Sequence, residues 1–262
     1  MTFIKKYLIT FIYFIRLIFF EVSRKNGRMF LYKLHRNFQT FYYPPIRKEL
    51  PETYLDQIFK ITGTIELTEP VSVQGNVTAY EQVVLNYFVN LKKPRIIFEI
   101  GTFDGRSTLN FAINSSPGTT IYTLDLNKNI NSSATHRVDD SDQRLINTNV
   151  TGERFLSEEG KTLSNHVEIK QLLGDTAHFD FSPYYNKIDF VFVDAAHTYD
   201  YVKNESKQAL KLLKKEGGVI LWHDYDDKHQ GSIQAINELY KANPEWKMFH
   251  IADTNIACLI KD

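Results

Sequence analysis

The chain contains one cysteine, Cys258, among 262 residues. That excludes an intramolecular disulfide framework and a cysteine-based zinc site, and it is compatible with a reducing compartment. The chain also lacks any repeat with a period of roughly 20–50 residues and any low-complexity tract, which argues against solenoids, propellers and compositional linkers. It has no net charge, with 31 basic residues against 31 acidic ones. Enough apolar sequence is present for a core: 43% of residues are apolar and 24% are charged, which disfavours wholesale disorder. The length fits one domain of roughly 200 residues with an appendage.

The zero net charge conceals an uneven distribution. Residues 1–45 carry eight basic side chains (Lys5, Lys6, Arg16, Arg24, Lys25, Arg28, Lys33, Arg36) and one acidic side chain, Glu21, a net of +7 that leaves −7 on the rest. Thirteen of the 36 aromatic residues lie in the same segment. A basic, aromatic-rich end on an acidic body predicts that this end contacts a negatively charged surface. Residues 7–20 read YLITFIYFIRLIFF, broken only by Arg16. As a helix this run reaches about 21 Å, short of a hydrocarbon core of about 30 Å. Lys5, Lys6, Thr10, Tyr13 and Arg16 share one arc of the helix, and Ile4, Leu8, Phe11, Phe14, Ile15 and Ile18 occupy the other. Ile9, Leu17 and Phe20 blur the polar arc. Three readings stay open: an interfacial helix on an anionic membrane, which the pattern favours, a short signal anchor, and a helix packed on the body or a partner. No small-residue cleavage site follows the run, which disfavours a cleaved signal peptide. If the segment spans, the basic residues from Arg24 to Arg36 keep the body cytoplasmic, at the inner face of the membrane. Pro44-Pro45 then separate a helical arm, residues 1–45, from a folded domain, residues 46–262.

From residue 94 short β-rich runs alternate with helical stretches. Residues 95–100 (RIIFEI), 120–124, 167–172, 188–193 (IDFVFV) and 219–222 read as strands. The fourth is a continuous apolar run, as expected of a strand covered on both faces. Helices are expected near 106–114, 199–214 and 232–241. Residues 246–251 and 256–260 are strands joined by so short a turn that they must be antiparallel. Ahead of the sheet, Thr78-Ala79-Tyr80-Glu81 is a capping box that opens a helix running to about residue 91. The expected fold class is therefore α/β: a doubly wound, mainly parallel sheet with helices on both faces and one closing antiparallel strand. Residues 127–165 form an insertion between the second and third strands, long enough to be a lid, a recognition element or a disordered loop.

The first strand ends in the turn Glu99-Ile100-Gly101-Thr102-Phe103-Asp104-Gly105-Arg106-Ser107. Open α/β sheets bind ligands at the carboxyl ends of their strands. The turn therefore supplies Glu99, Gly101, Thr102, Gly105 and Ser107 as candidate contacts. Its G-x-x-x-G spacing lacks the middle glycine of the dinucleotide fingerprint, which disfavours a pyrophosphate cradle and an NAD-dependent dehydrogenase. An acidic Glu99 instead suits a ligand with an ammonium group. Asp125 ends the second strand, where a carboxylate can accept both hydroxyls of a ribose. Asp175 follows the third strand and can meet an adenine amino group. One adenosine ligand would explain all three carboxylates.

The strings EIGTFDGRST, TLD, LLGDT, DFVFVDAAHTYDYV and GGVILWHDY, in this order, resemble the class I S-adenosylmethionine-dependent methyltransferases. Within them the chain looks most similar to macrolide-sugar O-methyltransferases and cephalosporin-hydroxylase-type proteins, over roughly residues 78–262. The resemblance implies a Rossmann-like, seven-stranded sheet of order 3-2-1-4-5-7-6 with the last strand antiparallel. It also implies S-adenosylmethionine as cofactor, with Glu99 and Gly101 at its methionine end, Asp125 on its ribose and Asp175 on its adenine. In related sugar methyltransferases the aspartate of a D-x-x-H motif binds a metal and its histidine is the base, which maps to Asp194 and His197. An acidic pair follows their fifth strand; here it is His223-Asp224, so one expected carboxylate is missing. Asp194, Asp224 and His223 are accordingly the candidate ligands for Mg²⁺.

A bound cation would lower the pKa of an acceptor hydroxyl, and His197 would take its proton. The leading expectation is O-methylation of a sugar, glycoside or related natural product, with a glycan or small-molecule acceptor and no nucleic acid partner. A homo-oligomer stays open. The alternative is a membrane-tethered binding protein that keeps the fold without catalysis. His136, His166, His178 and His250 have no comparable placement and read as structural or surface residues.

Overall fold

A computed structural model of the chain describes residues 3–16, 45–60, 63–126 and 151–261. It forms two compact units, Met1–Arg47 and Lys48–Asp262. In the first, α1 covers Phe3–Arg16. Its exposure is the reverse of an ordinary surface helix. Ile4, Tyr7, Leu8, Phe11, Ile12 and Phe14 are each more than half exposed, from 51% to 72%. Lys6, Ile9, Thr10 and Tyr13 form the half-buried side. No described helix is long and apolar enough to cross a membrane. Residues 17–44, with Leu17, Ile18, Phe20 and the basic cluster from Arg24 to Arg36, lie outside the described residues.

In the second unit the elements run β1 (Glu52–Thr53), α2 (Leu55–Ile58), α3 (Ala79–Lys92), β2 (Ile96–Ile100), α4 (Arg106–Asn114) and β3 (Thr120–Asp125). There follow α5 (Glu153–Leu156), α6 (Glu158–Leu163), β4 (Glu168–Leu173), β5 (Phe190–Val193) and α7 (Tyr199–Leu212). The chain closes with β6 (Gly218–Trp222), α8 (Gln230–Ala242), β7 (Lys247–Ile251) and β8 (Ala257–Lys261). The helix α3 starts at the expected capping box: the Thr78 side chain accepts from Glu81 N, and the Glu81 carboxylate accepts from Thr78 N at 2.8 Å.

One sheet takes the order β1-β7-β8-β6-β5-β2-β3-β4. Read from β2 onwards, this is the 3-2-1-4-5-7-6 order, and β8 runs antiparallel to both β6 and β7. The expected seven strands become eight. Glu52–Thr53 adds a short parallel strand beside β7, and the backbone bonds His250 N to Pro51 O and Ala252 N to Thr53 O fix it there. A two-residue strand following a proline carries no periodic pattern, and it forms because the outer edge of β7 offers unpaired backbone groups. The central strands are apolar on both faces because helices cover both: Phe190, Val191, Phe192 and Val193 are all buried. The core joins Val84, Leu85 and Phe88 of α3, Phe111 of α4 and strand residues such as Ile97, Phe192 and Leu221.

Of the expected insertion, residues 127–150 lie outside the described residues. The rest forms α5 and α6, which the sequence pattern did not predict. They sit on the turn after β2, where Gly105, in the left-handed region at φ +86°, leaves room for the Phe155 ring. Asp104 links to the same segment through Arg154 Nε, 2.8 Å away. This contact ties the insertion to the carboxyl end of β2.

Candidate active site

The carboxyl ends of β2 to β6 open onto a cavity of about 400 Å³. Gly101 closes the gap between two of these strands. It sits at φ +102°, and a Cβ there would collide with the backbone of Asp194, whose carbonyl carbon would be 2.5 Å away. Only glycine lets the turn after β2 lie directly against the end of β5.

Asp125 and Asp175 both line the cavity. Each is oriented by the backbone. Asp125 Oδ2 accepts from Phe103 N and Oδ1 from Leu126 N, both at 2.7 Å. Asp175 Oδ1 accepts from Ala177 N at 2.9 Å and from the Tyr201 hydroxyl at 3.1 Å.

Four residues of the expected cofactor set do not line the cavity. Glu99 is buried below it, where its Oε2 accepts from the hydroxyls of Thr108 and, at 2.6 Å, Thr123. Burial pushes its carboxyl up to about 8, Asp194 and Asp125 add to the shift, and the two threonine bonds oppose it. This is an environment for a neutral acid and a poor one for holding an ammonium group, so the expectation for Glu99 gives way to a structural role. Thr102 is buried with its hydroxyl 2.6 Å from that of Thr123, Ser107 donates to Gln82 Oε1, and Gly105 packs on Phe155.

The ends of β5 and β6 lie side by side and bring Asp194, His197, His223 and Asp224 together at the cavity wall. Asp224 occupies the left-handed region at φ +58°, which aspartate adopts more readily than most non-glycine residues. Its Oδ2 lies 2.6 Å from His197 Nε2 and 3.2 Å from His223 Nδ1. Asp194 Oδ1 is 3.1 Å from the same His223 nitrogen. Burial works against charge on His223, but Asp224 and Asp194 outweigh it and hold its pKa well above the ordinary histidine value. Burial likewise opposes ionisation of Asp224, yet His223 and His197 keep its carboxyl well below the usual range. Asp194 is raised by burial, against the pull of His223.

Three further residues complete the cluster. His223 Nε2 faces Glu81 Oε2 at 3.4 Å. Burial alone would raise Glu81, but His223 brings it down to about 2. His229 Nδ1 lies 3.2 Å from Asp224 Oδ1 and 3.0 Å from Asp226 Oδ1, with its ring stacked on His197 at 4.4 Å between centroids. Sequence reasoning missed all three. Glu81 was legible only as a helix cap, while the run Asp224 to His229, DYDDKH, did hold a signal in its density of ligand-type side chains. Of the histidines read as structural, His250 is buried and bonded to Thr254 O, whereas His136 lies outside the described residues.

Residues 98–225 match the family model described as a methyltransferase domain. No curated protein sequence matches the chain. Among solved structures, the chain is similar to an O-methyltransferase from Bacillus cereus in complex with SAH, at 22% identity and a TM-score of 0.49, covering 72% of this chain and 84% of that one. It is also similar to the O-methyltransferase TomG from Streptomyces achromogenes, in complex with SAM, at 19% identity, with 71% and 81% coverage and a TM-score of 0.46. A methyltransferase from Geobacter sulfurreducens gives 13% identity, 73% and 80% coverage and a TM-score of 0.48.

Proposed function

We propose that the body of this chain, a domain with the class I methyltransferase sheet order and a matching family model over residues 98–225, is an S-adenosylmethionine-dependent O-methyltransferase. The acceptor class we favour is a hydroxyl of a sugar, glycoside or related natural product. The observation that carries the reading is the His197–Asp224 pair, 2.6 Å apart, in the same cavity as Asp125 and Asp175.

The cavity fits the donor. Its volume suits a nucleoside-sized ligand, and its acidic lining, with Glu81, Asp125, Asp175, Asp194 and Asp224 among it, suits a sulfonium cation. When bound, S-adenosylmethionine supplies a methyl group that is already electrophilic. Asp125, whose two oxygens each accept from a backbone N–H, is the residue we assign to the ribose diol, and Asp175, on the same cavity wall, is the one we assign to the adenine end. What remains for the chain is to align an acceptor oxygen and remove its proton. With the Nε2 proton of His197 donated to Asp224, Nδ1 carries the lone pair that takes the hydroxyl proton. The ionised Asp224 then stabilises the imidazolium that forms. With the donor bound, the acceptor oxygen would gain its methyl group while His197 holds the proton that the oxygen gives up.

The donors at the wall fit Mg²⁺ poorly. Mg²⁺ takes oxygen ligands, and here an imidazole stands between the two carboxylates. For the arm, the outward apolar face of α1 supports seating on a membrane surface, with the basic residues of 1–45 favouring anionic lipid at the cytoplasmic face.

Calorimetric titration with S-adenosylmethionine tests the donor site. Asp125→Ala removes a charged acceptor of two ligand hydrogen bonds and lowers affinity by at least about tenfold; unchanged affinity removes the ribose assignment. Mass spectrometry for a methylated product, after incubation with candidate glycans or glycolipids, identifies the acceptor.

A further inference from the structure

We propose that the body carries a contact surface for anionic lipid at the end of the sheet opposite the cavity, so that a bound chain turns the cavity mouth to the aqueous phase. This surface is separate from the methyltransferase site, and its role rests on the seating of the arm at a membrane. The body is acidic as a whole, with a net charge of −7 over residues 46–262, but the charge is divided between its two ends. Carboxylates, among them Asp125, Asp175, Asp194 and Asp224, line the cavity at the carboxyl ends of the strands.

At the amino ends the sign reverses. Arg95 leads into β2, Lys187 into β5, Lys215 into β6 and Lys247 into β7, while Lys261 ends the antiparallel β8. The register pairs Ile97 with Phe190, Phe190 with Val219, Val219 with Ile260 and Ile260 with Lys247, which brings all five cations to one end of the sheet. Five strands about 4.8 Å apart make this row about 19 Å long. All five side chains are exposed, and the exposed carboxylates on the same segments are Glu216 and Glu245. Among the described residues, no ion pair engages any of the five; the pair formed at this end joins Lys214 to Asp189 at 2.5 Å. Lys92 and Lys211 lie in the last turns of α3 and α7, where they complement the helix dipoles. No helix end explains the other five.

Trp246, half-buried just before β7, stands in the same row with Lys261 Nζ 6.0 Å above its ring. An indole among cations suits the headgroup level of a bilayer, where one side is apolar and the other wet. At about fivefold per net charge, five cations less two carboxylates favour this face over an uncharged one by about a hundredfold. That chooses which side of the body meets the lipid, and it is weaker than even the marginal hold of a single myristoyl chain, about 10⁴ M⁻¹, so the arm is still needed for attachment.

The full chain is mixed with vesicles of phosphatidylcholine, with or without phosphatidylglycerol, that carry a nitroxide-headgroup lipid as a contact quencher. The chain has two tryptophans, and Trp222 is 1% exposed, so quenching reports Trp246. Cosedimentation is measured on the same samples. Expected is quenching with phosphatidylglycerol, none with phosphatidylcholine alone, and none in Trp246→Phe. Arg95→Glu, Lys187→Glu, Lys215→Glu and Lys247→Glu together abolish the quenching while the chain still pellets. The same four positions changed to Gln reduce it, and carry the test if the reversed variant does not fold. Pelleting without quenching, or quenching that neither set of substitutions alters, overturns this inference alone. Quenching without pelleting overturns the arm's role alone, and the absence of both overturns the two together. Single-stranded DNA bound by the parent and not by the reversed variant, with Trp246 silent on vesicles, assigns the row to nucleic acid and overturns the lipid contact.

Discussion

Glu99 offers a quantitative test of how the site is built. It is 1% exposed, and its carboxyl is pushed from the ordinary 4.5 up to about 8, mainly by burial. In the folded chain it keeps its proton up to about pH 8, whereas in the unfolded chain it loses it near pH 4.5. Between those values the folded state holds the extra proton, so this group makes stability fall as pH rises, by about 1.4 kcal/mol per unit. From pH 5 to pH 7 the loss comes to roughly 3 kcal/mol, a large part of the 5–15 kcal/mol typical of a domain. Glu99→Gln cannot ionise and keeps an oxygen to accept from Thr108 and Thr123. Urea unfolding of both proteins at several pH values, followed by tryptophan fluorescence, isolates the effect. The difference in unfolding free energy should move in favour of glutamine by about 2–3 kcal/mol between pH 5 and pH 7. A difference that stays constant with pH would mean that Glu99 is ionised in the fold, and the account of a neutral acid beneath the cavity would be wrong.

The other predictions concern single contacts. His197→Ala should lower kcat by about 10²–10⁴-fold while S-adenosylmethionine affinity holds; an unchanged kcat removes the base. Gly101→Ala forces a Cβ into the Asp194 backbone at a positive φ and should cost at least about 2 kcal/mol in chemical denaturation. A variant as stable as the parent would show that the two strand ends can part freely. Deletion of residues 1–45 should abolish cosedimentation with anionic vesicles, and persistent binding would refute the role given to α1.

The alternation of β-rich runs and amphipathic stretches was enough to identify the sheet, its closing hairpin and the carboxylates at its strand ends. Those are properties of local periodicity, with each residue's placement set by its neighbours in the chain. Which way a strand-end side chain turns is another matter. Glu99 pairs in register with Thr123 and is roofed by Thr108 of α4, so its carboxyl is committed to the interior. Asp125, at the end of β3, and Asp194, just after β5, both line the cavity.

Glu81 and His223 could not be joined by reading along the chain, because the start of α3 and the end of β6 meet only once the sheet is assembled. Nor does a helical wheel reveal which arc faces outward. The composition of α1 is visible in its letters, but the exposure of Ile4, Leu8 and Phe11 depends on what the helix packs against. Local pattern thus sets the elements and the residue types available at their ends. Contacts between distant elements then select which of those residues line the cavity and which become buried acids, because burial and charge neighbours, not sequence position, set a group's protonation and reach.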